Sequence, residues 1–262
     1  MRILVTFAVE AEFAPWSKLR QFHEKHVAAA EAAEGFKVFE TTVADHTVWV
    51  HLTGIGGNRL SALAPGAQAA GVDFVISSGL AGALRKQHDV GEVIAPRYVG
   101  VAGDAVGLAA DSRLLRLAGA HGAKLVDAML TTDHVVESGD EKNRLGLLAD
   151  AVDMESSRIM REFAFGRKIP VVAIRAISDG SGEDLPLDFG ACLTTDGKLK
   201  PLPLLKCLLD RPSKIPGLIR FGVRSRKAAS NLTRFLDSFL SAMTPEDMIP
   251  EAMKSDLGAI AE

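Results

Sequence analysis

The chain has two cysteines, Cys192 and Cys207, among 262 residues. One pair at that spacing matches no zinc or redox motif, so a reducing, cytoplasmic setting is expected rather than a disulfide framework. Charge of one sign is also lacking. Against 30 Lys and Arg stand 33 Asp and Glu, a net charge of −3, which gives no global pull toward nucleic acid. No apolar run approaches the ~18 residues of a membrane span. Met1 leads directly into an apolar run at residues 3–7 with no basic segment before it, so no secretory leader is expected. The seven histidines do not cluster. His23 and His26 make a lone H-x-x-H in a stretch that reads as polar helix, and surface histidines explain it better than a metal. No metal and no cofactor is expected. The absence of G-x-S-x-G removes the serine-hydrolase elbow.

What is present is an ordinary globular composition, 47% hydrophobic and 24% charged, long enough for one α/β domain with a substantial core. Residues 3–7, 74–77, 92–101, 124–130 and 170–177 read as strands. Residues 37–43 and 47–52 read as a hairpin around Asp45-His46. Residues 59–70, 112–121 and 154–165 read as helices. This alternation predicts a three-layer α/β fold with a mostly parallel, twisted central sheet and helices on both faces. Ligands in such sheets sit beyond the carboxyl ends of the strands. Residues 180–203, rich in Gly, Pro and Asp, read as a long loop, and 204–241 as helix. Ala228, Leu232, Phe235, Leu236, Phe239 and Leu240 fall on one helical stripe, with Arg220, Arg224, Lys227 and Arg234 along its flank. Residues 244–262 read as a disordered tail.

Four segments can carry chemistry. Gly54-Ile55-Gly56-Gly57 follows a strand and opens a helix, where backbone N–H groups can hold an anion or a sugar; a tight strand-to-helix turn explains it equally well. It is no dinucleotide fingerprint, because Arg59 stands where the last glycine belongs, and this counts against an oxidoreductase. Asp153 and Glu155 open a helix; capping suits Asp153, while Glu155, two residues on, points elsewhere and can face a cleft. Asp179 ends a buried strand in Ser178-Asp179-Gly180, a position suited to function or to a turn. Glu10 and Glu12 follow the first strand, where both can simply be solvated.

Taken in order, Glu12, Gly54-Ile55-Gly56, Ser78-Gly79-Leu80-Ala81-Gly82, Val152-Asp153-Met154-Glu155 and Val172 to Asp179 resemble the nucleoside phosphorylase and nucleosidase superfamily over residues 1–182. The methylthioadenosine/S-adenosylhomocysteine nucleosidases are the branch they resemble most. The resemblance implies that Asp179 protonates the departing purine at N7, with Ser178 beside it. It implies that Glu155 holds the ribose 2′-hydroxyl, that Met154 packs under the sugar, and that Glu12 activates water. Gly56, Gly79 and Leu80 would line the substrate site. Val135 and Val136 fall where the family has a base-stacking aromatic and a residue that reads the adenine edge. Leu80 stands where nucleosidases carry a small hydroxyl residue. Phosphorylases of this superfamily place an arginine after the first strand, but Glu10 and Glu12 occupy that loop and repel an anion. Hydrolysis is therefore expected, with phosphate a co-substrate only if the enzyme is a phosphorylase.

Residues 183–243 extend past this resemblance as a loop and an amphipathic helix, expected to pack on the same domain. Asp184-Leu185-Pro186-Leu187-Asp188-Phe189 and Ile215-Pro216-Gly217-Leu218-Ile219-Arg220 are similar to the hopanoid-associated phosphorylases, which are linked to removal of adenine from adenosylhopane. The expected partner is thus an adenine nucleoside, lipid-linked if this second resemblance holds, with peripheral contact to the inner face of a membrane and self-association into a homo-oligomer. The alternatives are a phosphorylase, a methylthioadenosine/S-adenosylhomocysteine nucleosidase, and a non-catalytic nucleoside sensor.

Overall fold

The computed structural model describes residues 1–28, 35–57, 59–101, 107–186 and 212–248. Both cysteines, most of the loop expected at 180–203 and the tail from 249 lie outside the described residues.

Strand β1 (Arg2–Phe7) is buried along nearly its whole length, as its unbroken apolar run dictates for a parallel strand covered on both faces. Helix α1 (Glu10–Leu19) follows, then β2 (His23–Val27), β3 (Phe36–Val43) and β4 (His46–Leu52). The hairpin of β3 and β4 forms as expected, with Val43 paired to His46 across the turn. His23 and His26, however, lie on an edge strand and not on a helix. Strand β2 pairs antiparallel with β3 over five residue pairs, and sheet pairing overrides the polar composition. Helix α2 (Leu60–Ala69) leads to β5 (Phe74–Ala83), followed by β6 (Val93–Val101), β7 (Leu108–Ala109), α3 (Ser112–Ala120) and β8 (Lys124–Thr131). Helix α4 (Gly139–Leu145), β9 (Ala151–Asp153), α5 (Ser156–Met160) with a π-helical turn at Arg161–Phe165, β10 (Val171–Asp179) and α6 (Ile215–Ala242) complete the order.

The sheet departs from the expected architecture. Its order is β10-β6-β8-β9-β5-β1-β4-β3-β2, and β10 also pairs with β5, so five strands close into a ring. Parallel pairs (β1 with β4 and β5, β10 with β5, β6 with β8, β8 with β9) mix with antiparallel ones such as β10 with β6 and β5 with β9. The α/β class stands, but the sheet is mixed and barrel-like rather than open and mostly parallel. The long strand β5 causes the closure. Its first half lies between β1 and β10, and its last two residues, Gly82 and Ala83, pair with β9.

Helices cover two apolar faces. Leu60, Leu63 and Ala67 of α2 pack with Ile159, Met160 and Phe163 on one. Trp16 of α1, Leu114 of α3 and Leu232, Leu236 and Phe239 of α6 pack on the other. The predicted stripe of α6 therefore faces the sheet, and Asp237 of α6 ties it to α1 through Trp16 and Arg20. Residues 244–248 do not begin a disordered tail: Pro245–Met248 forms a 3-10 turn, and Arg113 Nη1 donates to the Met248 carbonyl at 2.5 Å. None of the described helices is long and apolar enough to cross a membrane.

Candidate active site

A cavity of about 610 Å³ opens where β1, β5, β8, β9 and β10 end, and α6 covers one side of it. Glu12, Glu155 and Asp179 all line it. So do Met154, Ser178, Leu80, Val135 and Val136. Gly56 and Gly79, expected beside them, are not among the lining residues: Gly56 N–H donates to Glu155, and Gly79 lies against Arg175 and Glu12.

Each acid is held differently. Glu12 lies in the first turn of α1, where the macrodipole favours a carboxylate. Its Oε2 accepts from the backbone N–H of Ala8 at 3.0 Å and of Val9 at 3.4 Å, and its Oε1 from Leu80 N–H at 3.0 Å. Enclosure by the protein nevertheless raises its pKa, against the lowering pull of Arg175 and these N–H groups. Gly79 makes this contact possible. It has φ of +146°, and a Cβ there would stand 2.2 Å from Arg175 Nη1 and 3.1 Å from both Glu12 oxygens.

Glu155 precedes α5 without capping it, so its side chain is free to turn into the cleft. Its Oε1 accepts from Gly56 N–H at 3.0 Å, a contact made where Gly56 takes φ of +69°. Its pKa is pushed up to about 7: desolvation raises it most, the charges of Asp153 and Glu12 add to the rise, and Arg175 and the Gly56 N–H oppose it. Asp153 does cap: its Oδ2 accepts from Ser156 N–H at 3.0 Å. It also meets Arg175 Nη2 at 2.7 Å.

Asp179 ends β10, 6% exposed and facing the cavity. Ser178 Oγ donates to its Oδ1 at 2.6 Å, and Lys142 Nζ to its Oδ2 at 2.6 Å.

Two cations escaped the sequence reading. Arg175 is fully buried and centres the site, donating to the Ser78 carbonyl at 2.8 Å and to Ser156 Oγ at 2.9 Å, and standing 3.8 Å from Glu155. Its place inside an apolar strand, between Ile174 and Ala176, was the available signal. Lys142, also fully buried, sits in the charged run Asp140-Glu141-Lys142-Asn143-Arg144. Such a run reads as a solvated helix, and nothing in it singles out a buried lysine. Leu218, Phe221 and Arg226 of α6 also line the cavity.

The site can thus hold a polar ring system against Asp179 and Ser178, a sugar between Met154 and Glu155, and an apolar group beneath α6. A family model described as the phosphorylase superfamily matches residues 2–198. No curated protein sequence matches. Among solved structures, a 5′-methylthioadenosine/S-adenosylhomocysteine nucleosidase from Helicobacter pylori superposes with a TM-score of 0.68 at 17% identity, covering 93% of this chain and 99% of that one. Futalosine hydrolase from the same organism gives 0.68 at 17% identity, covering 93% and 98%. The Neisseria meningitidis 5′-methylthioadenosine/S-adenosylhomocysteine nucleosidase, in complex with methylthio-immucillin-A, gives 0.67 at 20% identity, covering 92% and 99%. A match over 93% of the chain runs well past residue 182, so the fold likeness extends into α6 and is not confined to the segment carrying the sequence resemblance.

Proposed function

Because the chain belongs to the phosphorylase superfamily, we propose that it hydrolyses the N-glycosidic bond of an adenine nucleoside with an apolar 5′ substituent, releasing adenine, with adenosylhopane as its substrate. The observation that carries this reading is three carboxylates, Glu12, Glu155 and Asp179, on one cavity. Breaking C1′–N9 builds positive charge on the sugar and negative charge on the base, in an oxocarbenium-like transition state. Asp179 passes a proton to N7, which neutralises the departing base. Glu155 accepts the 2′-hydroxyl and so stabilises the cationic sugar. Glu12 orients water toward C1′ and takes its proton.

Water is favoured over phosphate by the backbone geometry. The N–H groups of Ala8, Val9 and Leu80 would suit an anion, but the Glu12 carboxylate already accepts from all three. A second carboxylate close enough to raise the pKa of Glu155 adds to the repulsion. The apolar 5′ group is supported by Leu80, Leu185, Leu218 and Phe221 on the outer wall. Self-association belongs to the same reading, since Leu147 and Leu148 are 83% and 65% exposed and a second copy would cover them.

The test is incubation with adenosine, methylthioadenosine and adenosylhopane in phosphate-free buffer, following free adenine. Adenine and a sugar with a free anomeric hydroxyl are expected, and Glu12→Gln should be nearly inactive. Strict phosphate dependence with a sugar 1-phosphate product would make the enzyme a phosphorylase. Release from methylthioadenosine alone would move the substrate to the small thio-nucleosides.

A further inference from the structure

Among the described residues Lys142 is the only buried lysine. Its Nζ donates to Asp179 Oδ2 at 2.6 Å, to the Glu183 carbonyl at 2.9 Å and to the Gly180 carbonyl at 3.3 Å. The helix that carries it is clamped to the same loop, because Gly139 N–H donates to Asp184 Oδ1 at 2.8 Å and a Cβ on Gly139 would stand 2.9 Å from the Gly182 carbonyl. The neighbouring carboxylates are otherwise engaged: Glu183 pairs with Arg224 of α6, and Asp184 accepts from Gly139. Asp179 is the acid that the ammonium meets.

Burying an ammonium costs more than an ion pair usually returns, so such a pair is a poor device for stability alone. It also changes what Asp179 can do. Ser178 Oγ lies 2.6 Å from one of its oxygens and Lys142 Nζ 2.6 Å from the other, so the ammonium stands directly against the acid that must protonate the base. A proton does lie within reach of it, on Nζ.

We propose that Lys142 supplies, through Asp179, the proton that leaves with the purine. As the C1′–N9 electron pair withdraws into the base, N7 becomes basic. The Nζ–H bond breaks as its proton passes to Asp179 Oδ2, and the carboxyl so formed gives a proton to N7, so that Asp179 ends as the carboxylate it was beside the ammonium. Lys142 is left as a neutral amine on the Gly180 and Glu183 carbonyls and is reprotonated from solvent after adenine departs. Lysine suits this task where arginine does not, because a guanidinium does not give up its proton in a protein. Lys142 is thus a positioning and proton-supplying residue that acts through Asp179.

The inference rests on the reaction proposed above, and the experiment separates the two. Two substrates with the same 5′ group are compared at pH 8: the adenine nucleoside, and the 4-nitrophenyl riboside, whose leaving group departs without a proton. Lys142→Met should slow adenine release by roughly 10²–10⁴-fold, the range for loss of general-acid help, with KM and nitrophenolate release little changed. Lys142→Arg restores the charge but not the mobile proton, and should stay slow on the nucleoside; it carries the test by itself if Lys142→Met does not fold. Equal loss on both substrates, or an arginine variant as fast as wild type, would overturn the role of Lys142 and leave the reaction standing. Failure of the wild type to release adenine from any nucleoside would overturn both.

Discussion

At the scale of single residues, Glu155 sets the most direct expectations. Its pKa of about 7 arises from burial, with Arg175 lowering it and the charges of Asp153 and Glu12 raising it. To hold a 2′-hydroxyl against a cationic sugar it must be ionised. The kcat/KM for adenine release should therefore climb as pH rises through about 7 and level off above it; a rate–pH profile that is flat from 5.5 to 8 would remove Glu155 from this role. Stability runs the opposite way. The folded state holds a proton on Glu155 up to about pH 7, whereas the unfolded chain loses it near 4.5. Between those values the native state binds more protons, so unfolding free energy falls as pH rises. Glu155→Gln should thus be inactive yet more stable than wild type at pH 8, by on the order of 1–3 kcal/mol, and show little gain at pH 4.5. Thermal melts of both proteins at the two pH values test this. Much of this was legible in the sequence. Asp153 caps and Glu155 faces the cleft, as their two-residue spacing implies. Lys142 was not, because burial of a lysine is decided by a loop 38 residues away that supplies the carbonyl of Gly180.

At the scale of elements, what the sequence shows depends on the range of the forces involved. Strands β1, β5 and β10 open on apolar runs, Ile3–Val5, Phe74–Ile76 and Val171–Ile174, and the burial of those runs on both faces follows from composition. Closure of the ring does not, because it rests on two residue pairs between β10 and β6, Arg175 with Ile94 and Ala176 with Val93. No local pattern encodes so short a contact. Strand β2 was missed for a related reason, since its polar residues become a strand only by pairing with β3. The close approach of Glu12 and Arg175 to β5 does have a local mark in Gly79. Gly79→Ala would place a Cβ 2.2 Å from Arg175 Nη1 and beside both Glu12 oxygens, at a φ of +146°. The expected cost is about 1–3 kcal/mol of strain, with adenine release reduced at least tenfold because two site residues must move. Gly182→Ala, where an added Cβ meets nothing within 4 Å, should leave both stability and rate close to wild type. Urea melts and turnover of the two variants decide it; a Gly79→Ala enzyme as stable and as active as wild type would show that the close approach is not required.

At the scale of the whole molecule, α6 joins the cavity to the surface, and the proposed lipid-linked substrate would give that junction a purpose. The C-terminal half of the helix buries Ala228, Leu232, Leu236 and Phe239 against the sheet, so the long apolar stripe is core. The N-terminal half differs. Leu218 and Phe221 line the cavity, while Ile219 and Val223 are 63% and 62% exposed and Ile215 is 38% exposed on the outer side. Arg220 and Lys227 are exposed along this helix. Arg224 pairs with Glu183, and Arg234 donates to Asn231 and the Ser230 carbonyl. We therefore propose that a membrane would meet the exposed N-terminal turns of α6 and the basic flank that runs on to Arg234, rather than the buried stripe. Each basic group near an anionic surface adds ~1 kcal/mol, so the four would give binding that is measurable at low salt and lost as screening grows. Co-sedimentation with vesicles containing phosphatidylglycerol should fall as sodium chloride is raised from ~20 to ~300 mM, where the Debye length shortens severalfold. Replacing Arg220, Arg224, Lys227 and Arg234 by Gln should slow adenine release from the lipid nucleoside and spare a short, soluble 5′-alkyl adenosine. Ile219→Ser with Val223→Ser should do the same without altering net charge. If both sets of changes slow the two substrates equally, or if vesicles never retain the wild type at low salt, α6 serves the fold and the cavity wall alone.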